Sequence, residues 1–400
     1  MQIEINRIEY EEMETRETMD FDAFKNFSNK IKWINFFFII TVVAMHCVRE
    51  WETYYVSSDS VISSFLINLE VYAMACFFMM SGFWFFYEYE KYTYFEMIRK
   101  KIYSILVPYI LWGVLNLIIV QAVSLVETGQ MKYSALDSIK SLLFIQIGTI
   151  NFQPLNDPLW YLIRIMTYFI VAPVLYYLIK NKVVGAISLL VLAMASSSFG
   201  YYSFGRWLFV FCFGGYIGLH YKENIIKAAN RPRGISLAFT LLIYIALCAL
   251  YPYLNAHEMI KKDIDIIAII IVLGIIILGK NPSIEMNHSN YAFMLYCAHM
   301  ILMPFLVKIV GLILGNWVDE GVCQGIVVLA CCFIVAIIYL VLKKFAPGVY
   351  RVLAGGMKAT SGCSGRISWS WRRKTTSAVA DASFPTKICC IGMWCMHSMT

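Results

Sequence analysis

The chain has 400 residues, 60% of them hydrophobic and only 15% charged, with a mean hydropathy of +0.65 and a net charge of +7. These values exclude an ordinary water-soluble domain, in which charged residues make up about a quarter of the chain. The positive charge is spread over many short segments, which argues against a nucleic-acid partner.

Residues 1–31 include the polar, acidic string IEYEEMETRETMDFDAF. They lack the basic start and small-residue cleavage site of a signal peptide and read as a cytoplasmic segment. Residues 32–357 then carry long apolar runs, and about 18 or more such residues suffice for a helix to cross a hydrocarbon core roughly 30 Å thick. Lipid offers backbone amides no partner, so the runs are expected to be helices. The predicted fold is all-α, a polytopic transmembrane helix bundle of about ten spans. In chain order these lie near Lys32–Arg49, Phe65–Tyr87, Ile102–Val126, Leu159–Ile179 and Val183–Gly200, then Trp207–His220, Ile235–Leu254, Ile264–Gly279, Ala292–Gly315 and Val322–Leu342. The Trp207 and Ile264 runs are short, which leaves nine or eleven crossings open. Continuous runs, in place of short alternating segments, argue against a β-barrel.

The longest outer segment, Glu127 to Pro158, contains SLLFIQIGTI, too short to span and read as an interfacial or re-entrant helix. Trp160 and Tyr161 open the next span, with rings suited to the headgroup level. Lys and Arg favour alternate loops: Lys25 to Lys32, Lys91 to Lys101, Lys180 and Lys182, Lys222 to Arg233, and Lys343 to Arg351. The positive-inside rule then places both termini in the cytoplasm.

Two apparent motifs fail. Gly274 to Lys280 has the spacing of a phosphate loop, but Asn281 replaces Ser/Thr and the stretch lies in an apolar helix, so its glycines are assigned to helix packing. His257-Glu258 begins a zinc-protease pattern whose second His is replaced by Lys261. The twelve cysteines contain no CxxC pair, and eight fall at or within spans, where thiols behave as small buried hydrophobes. No metal site and no disulfide is expected.

Ionisable groups at membrane depth are costly and therefore informative. His46 falls late in the first span and His299 within the ninth. Imidazole suits proton transfer, while a hydrogen-bonded packing role is the other reading of His299 taken alone. Arg164, one turn into its span, either neutralises an anionic substrate or snorkels outward.

Several strings together resemble the acyltransferase 3 family of membrane-bound acyltransferases. They are Val42-Val43-Ala44-Met45-His46, then Phe77-Phe78-Met79-Met80-Ser81-Gly82-Phe83, then Ile98-Arg99-Lys100-Lys101 leading to Val107-Pro108-Tyr109-Ile110-Leu111-Trp112. Pro158-Leu159-Trp160-Tyr161-Leu162, Phe213-Gly214-Gly215-Tyr216 and the stretch from Ala292 to His299 follow in the family's order, across about 320 residues. Two departures stand out. Asn35 occupies the place of the family's arginine before His46, with Lys32 about one turn earlier, and Ile102 and Ile105 replace paired arginines ahead of Pro108.

The resemblance implies transfer of an acyl group, most often acetyl from acetyl-CoA, to a hydroxyl of a sugar in a cell-surface or exported polysaccharide. Acetyl-CoA or another acyl-CoA would be a co-substrate, with no cofactor bound. It implies His46 as general base, with His299 at the catalytic site and Asn35, Ser81, Trp160, Tyr161 and Arg164 toward the substrate. Ser81, Tyr161 and Arg164 are also candidate oxyanion donors. Arg99, Lys100 and Lys101 would meet the CoA phosphates, or else serve only as a positive-inside cluster. The expected surroundings are membrane lipid, acyl-CoA and a sugar acceptor, in a bacterial inner (plasma) membrane. The sequence leaves the oligomeric state open. A transporter or flippase, with His46, Arg164 and Lys308 along its path, is the competing class, and a non-catalytic membrane scaffold is a third. Residues 358–400 change abruptly in composition and read as a disordered cytoplasmic tail or the product of a shifted reading frame after Gly356.

Overall fold

A computed structural model describes residues 2–55, 61–143, 156–196, 198–199, 203–231, 236, 238–240, 242, 264–286 and 289–356. Among these residues the regular structure is entirely helical. In chain order it comprises α1 (Gln2–Tyr54), α2 (Val61–Tyr87), α3 (Tyr94–Lys101), a π-helical turn (Ile102–Leu106), α4 (Val107–Thr128) and α5 (Ala135–Leu143). A 3-10 turn (Asp157–Leu159) leads into α6 (Trp160–Ile179), α7 (Lys182–Ser196), α8 (Leu208–His220) and α9 (Lys222–Asn230). The last helices are α10 (Ile264–Leu278), α11 (Ser289–Leu314), α12 (Glu320–Phe345) and α13 (Pro347–Leu353).

Six segments are long and apolar enough to cross a membrane: Phe21–Tyr54, Glu70–Tyr87, Tyr94–Thr128, Asp157–Ile179, Asn290–Leu314 and Glu320–Phe345. Shorter apolar helices run over Lys182–Ser196, Leu208–His220 and Ile266–Leu278. The chain is thus a multi-pass integral membrane protein. The predicted span 235–254, most of SLLFIQIGTI and everything after Gly356 lie outside the described residues.

Helix ends follow local chemistry. The Thr93 hydroxyl accepts from the Glu96 amide and the Glu96 carboxylate from the Thr93 amide, a reciprocal cap that starts α3. The Asn181 side-chain Oδ1 accepts from the amides of Val183 and Val184 and starts α7. Gly129, at a φ of 72°, closes α4 in the left-handed region that a side chain rarely adopts.

Burial separates the inner helices from the outer ones. The apolar window of α2 is 83% buried, against 22% for those of the α3–α4 segment and α12, so α2 is central and the others present most of their surface to lipid. Its main partner is α8. Small residues allow the two backbones to touch: a Cβ on Gly82 would strike the Phe211 carbonyl, one on Gly214 the Met79 carbonyl and one on Gly218 the Phe83 carbonyl. The strings around Ser81-Gly82 and Gly214-Gly215, remote in sequence, are therefore the two halves of one helix contact. The packing role assigned to Gly274 is not met, because a Cβ there would face open space.

Lys30 joins three elements at one end of the bundle. It is fully buried, and its ammonium donates to the carbonyls of Ala229, Ile276 and Gly279, at the C-terminal ends of α9 and α10. Those carbonyls have no partner within their own helices, so the ammonium satisfies them and opposes the helix dipoles. At the other end Arg49 of α1 pairs with Glu70 of α2 at 3.0 Å. The C-terminal α13 is held by Trp112 Nε1 donating to Leu353 O at 3.0 Å and Asn290 Nδ2 donating to Tyr350 OH at 2.9 Å.

Candidate active site

Two helices bring His46 and His299 together. Late in α1 and midway along α11, both side chains are buried, with ring centroids 5.2 Å apart and planes inclined at 46°. The Nδ1 of His299 lies 3.0 Å from the Leu295 carbonyl. A carbonyl only accepts, so Nδ1 carries the proton and Nε2 presents its lone pair. That Nε2 is buried and has no hydrogen-bond partner. Such a fixed tautomer, open on the other nitrogen, is what a proton acceptor needs.

The segment ahead of α6 is strapped to the same turn of α11. Asn156 Nδ2 donates to the Cys297 carbonyl at 2.9 Å, and the Tyr296 hydroxyl donates to the Pro158 carbonyl. Tyr296 stands between two further groups, its ring 6.3 Å from that of His299 and 6.2 Å from that of Tyr161. Tyr161 in turn lies 2.8 Å, hydroxyl to hydroxyl, from Ser81, and it donates to the Phe77 carbonyl at 3.2 Å. With the Tyr161 proton so engaged, Ser81 is the donor in their mutual bond.

Trp160 and Tyr161 turn into the protein. Both are buried, Trp160 packing 6.0 Å from Phe78, because the turn from Asn156 to Leu159 plunges into the bundle before α6 begins. Arg164 does not snorkel: it is 6% exposed and one turn beyond Tyr161 on α6.

Other predicted residues stand apart from this group. Asn35 is buried and accepts from the Cys76 thiol at 3.7 Å. Eleven residues separate it from His46, roughly 16 Å along a helix axis, too far for direct contact. Lys32 is only partly buried, and the cation drawn inward on that part of α1 is Lys30. The basic cluster ends α3. Arg99 is exposed, Lys100 lies 3.7 Å over the Tyr92 ring, and Lys101 is buried 5.0 Å over the Phe169 ring. Arg99 and Lys100 therefore face outward while Lys101 holds α3 against α6. Lys308 is half exposed and lies 3.7 Å from Glu127, which removes it from any interior path.

Sequence reasoning missed the polar groups next to the histidines. Arg49 appeared only as the end of the first predicted span, yet it lies one turn beyond His46 and binds the buried Glu70. Glu70 carried a usable signal, since it is the one charged residue in the apolar run from Phe65 to Tyr87. Asn156 and Asp157 carried none, because a polar loop gives no hint of burial. Among the described residues no group of three or more His, Cys, Asp or Glu side chains is arranged to hold a metal ion.

Multi-pass helices enclosing a buried histidine pair and a hydroxyl pair define a membrane protein with the equipment for group transfer. A family model described as an acyltransferase domain matches residues 29–342, and the chain belongs to this acyltransferase 3 family. It is thus a membrane acyltransferase. Searches of curated proteins and of solved structures returned no match.

Proposed function

We propose that this acyltransferase moves an acetyl group from acetyl-CoA to a hydroxyl of a cell-surface or exported polysaccharide sugar, with His46 as general base. The observation that carries the reading is the buried His46–His299 pair, whose rings are 5.2 Å apart. A sugar hydroxyl is a weak nucleophile at neutral pH and needs a base within reach. His46 takes its proton as the hydroxyl oxygen attacks the thioester carbonyl carbon. Collapse of the tetrahedral adduct breaks the C–S bond, and the departing thiolate recovers the proton from the imidazolium. His299, with Nδ1 held by Leu295, serves as the neighbouring proton acceptor that steadies His46.

The oxyanion requires a donor. Ser81 and Tyr161 have their protons engaged with each other and with Phe77, so one must swing away from its present acceptor to serve. Arg164, buried one turn along α6, adds positive charge on that side. Asn35 and Trp160 are assigned to substrate binding in this proposal. Arg99 and Lys100 receive the CoA phosphates at the cytoplasmic mouth, with Lys101 fixing the helix that presents them.

Ten crossings with both termini in the cytoplasm of a bacterial inner (plasma) membrane fit this scheme, since a cytoplasmic thioester then meets an outer acceptor inside the bundle. Six long spans, three shorter apolar helices and the run at 235–254 support that count. Three ion pairs join helix ends that this topology puts on a common side, Lys25 with Glu285, Arg49 with Glu70 and Lys308 with Glu127.

The test is His46→Ala in the purified full chain, in detergent and without a gradient. Labelled acetate from acetyl-CoA should no longer reach glycan, while the variant keeps the parent's melting temperature. Acetylation of the native glycan by that variant would overturn the assignment. Deleting the gene should lower ester-linked acetate on extracted surface polysaccharide.

A further inference from the structure

Near the end of the bundle that carries Lys30, five helices leave a narrow crevice that the acyl-transfer scheme does not use. Phe27 of α1, Met79 and Phe83 of α2, Ile217 of α8, Ile225 of α9 and Ile276 of α10 line it, and it holds about 240 Å³ of space including its open side. Every residue of the lining is apolar. The histidine pair is remote, since nineteen residues separate Phe27 from His46, roughly 28 Å along a helix axis.

A chain of rings joins this crevice to two lysines. Phe27 and Phe83 are 5.7 Å apart, Phe83 and Tyr87 are 6.0 Å apart, and the Tyr87 ring receives the ammoniums of Lys91 at 4.8 Å and Lys222 at 5.2 Å. The two charges, one from the turn after α2 and one from the start of α9, thus lie within about 10 Å of each other. Lys222 is also one turn from Ile225. Glu88 and Glu223 act electrostatically on Tyr87, but Glu223 lies 3.9 Å from Lys227, and among the described residues neither Lys91 nor Lys222 is in an ion pair. Lys30 is not available to a ligand, because its ammonium donates to the carbonyls of Ala229, Ile276 and Gly279.

We propose that crevice and lysines together form a site for one anionic phospholipid, with a hydrocarbon chain in the crevice and the headgroup phosphate between Lys91 and Lys222. Apolar walls admit a chain and reject a hydrated ligand, while an ammonium held over a ring keeps its N–H groups for phosphate oxygens. Met79, unbranched and adaptable, lets the crevice widen around the chain. A zwitterionic lipid brings its own cation toward the two lysines and binds less well. Only the choice of leaflet, the inner one, rests on the topology proposed above.

The test uses the purified full chain in detergent micelles and native mass spectrometry with dioleoyl phosphatidylglycerol and dioleoyl phosphatidylcholine. Phosphatidylglycerol should bind about tenfold more tightly, and Lys91→Gln and Lys222→Gln should each weaken it about fivefold, the usual worth of one lysine at an anionic surface, with phosphatidylcholine unchanged. Ile225→Phe narrows the crevice and should weaken both lipids. The site is overturned if the two lipids bind the parent alike, if either lysine variant binds phosphatidylglycerol like the parent, or if excess acetyl-CoA displaces the lipid, which would give the lysines to the acyl donor. Unchanged binding in Ile225→Phe overturns the seating of a chain in the crevice. Should that variant lower the lipid-free melting temperature, glycerol 3-phosphate decides: the headgroup alone should bind far more weakly than the lipid, and equal binding overturns the role of the crevice.

Discussion

Tyr161 holds two hydrogen bonds in a site that excludes water, one with Ser81 and one to Phe77. If one of this pair turns to the oxyanion, Tyr161→Phe should lower kcat by about 10²-fold, the usual cost of losing such a donor, with little change in the KM for acetyl-CoA. A proportionate loss in both parameters would instead mean a packing role. Lys30 poses a stability question in place of a catalytic one. Lys30→Met removes the only side chain shown bridging the carbonyls of Ala229, Ile276 and Gly279 and leaves them buried, so the melting temperature in detergent should fall by the equivalent of about 1–3 kcal/mol or more. The residues that an apolar background makes conspicuous were legible in the sequence: His46, His299 and, by the same rule, Glu70. Asn156 and Lys30 were not, because each sits beside a polar stretch and only the fold decides which of its neighbours turns inward.

Helices meet through atoms that no propensity scale reports. The contact between α2 and α8 depends on Gly82, Gly214 and Gly218 lying under the carbonyls of Phe211, Met79 and Phe83. Gly214→Ala should force the helices apart and cost about 1–3 kcal/mol, with lost activity because Ser81 rides on the same turn of α2. Gly274→Ala is the contrasting case. A Cβ there meets nothing, so the change should be neutral or stabilise by about 0.5–1 kcal/mol through helix propensity. Paired melting curves of the two variants check both statements, and equal destabilisation would refute the distinction. The glycine strings were visible in the sequence as motifs, but which of them carries a helix contact was not, since that depends on the partner backbone.

At the scale of the whole molecule the sidedness can be read directly. A single cysteine placed at the exposed position Lys132 should react with an impermeant maleimide added to intact cells, whereas those at the exposed positions Lys182 and Lys227 should react only after lysis. A reversed pattern would place the basic clusters outside and overturn the topology. The sequence by itself determined that the chain lives in lipid, that it is helical, and which family it resembles, because a bilayer demands long apolar runs and offers backbone groups no other partner. It also marked two histidines as out of place. Only the tertiary structure decided that those histidines are neighbours, that Trp160 and Tyr161 lie within the bundle, and that the segment from Asn156 to Pro158 packs against the turn of α11 before His299. The reason is physical: hydropathy is a property of each segment alone, whereas a site is made by side chains from α1, α2, α6 and α11 converging across hundreds of residues, and their convergence is fixed by how closely backbones can pack.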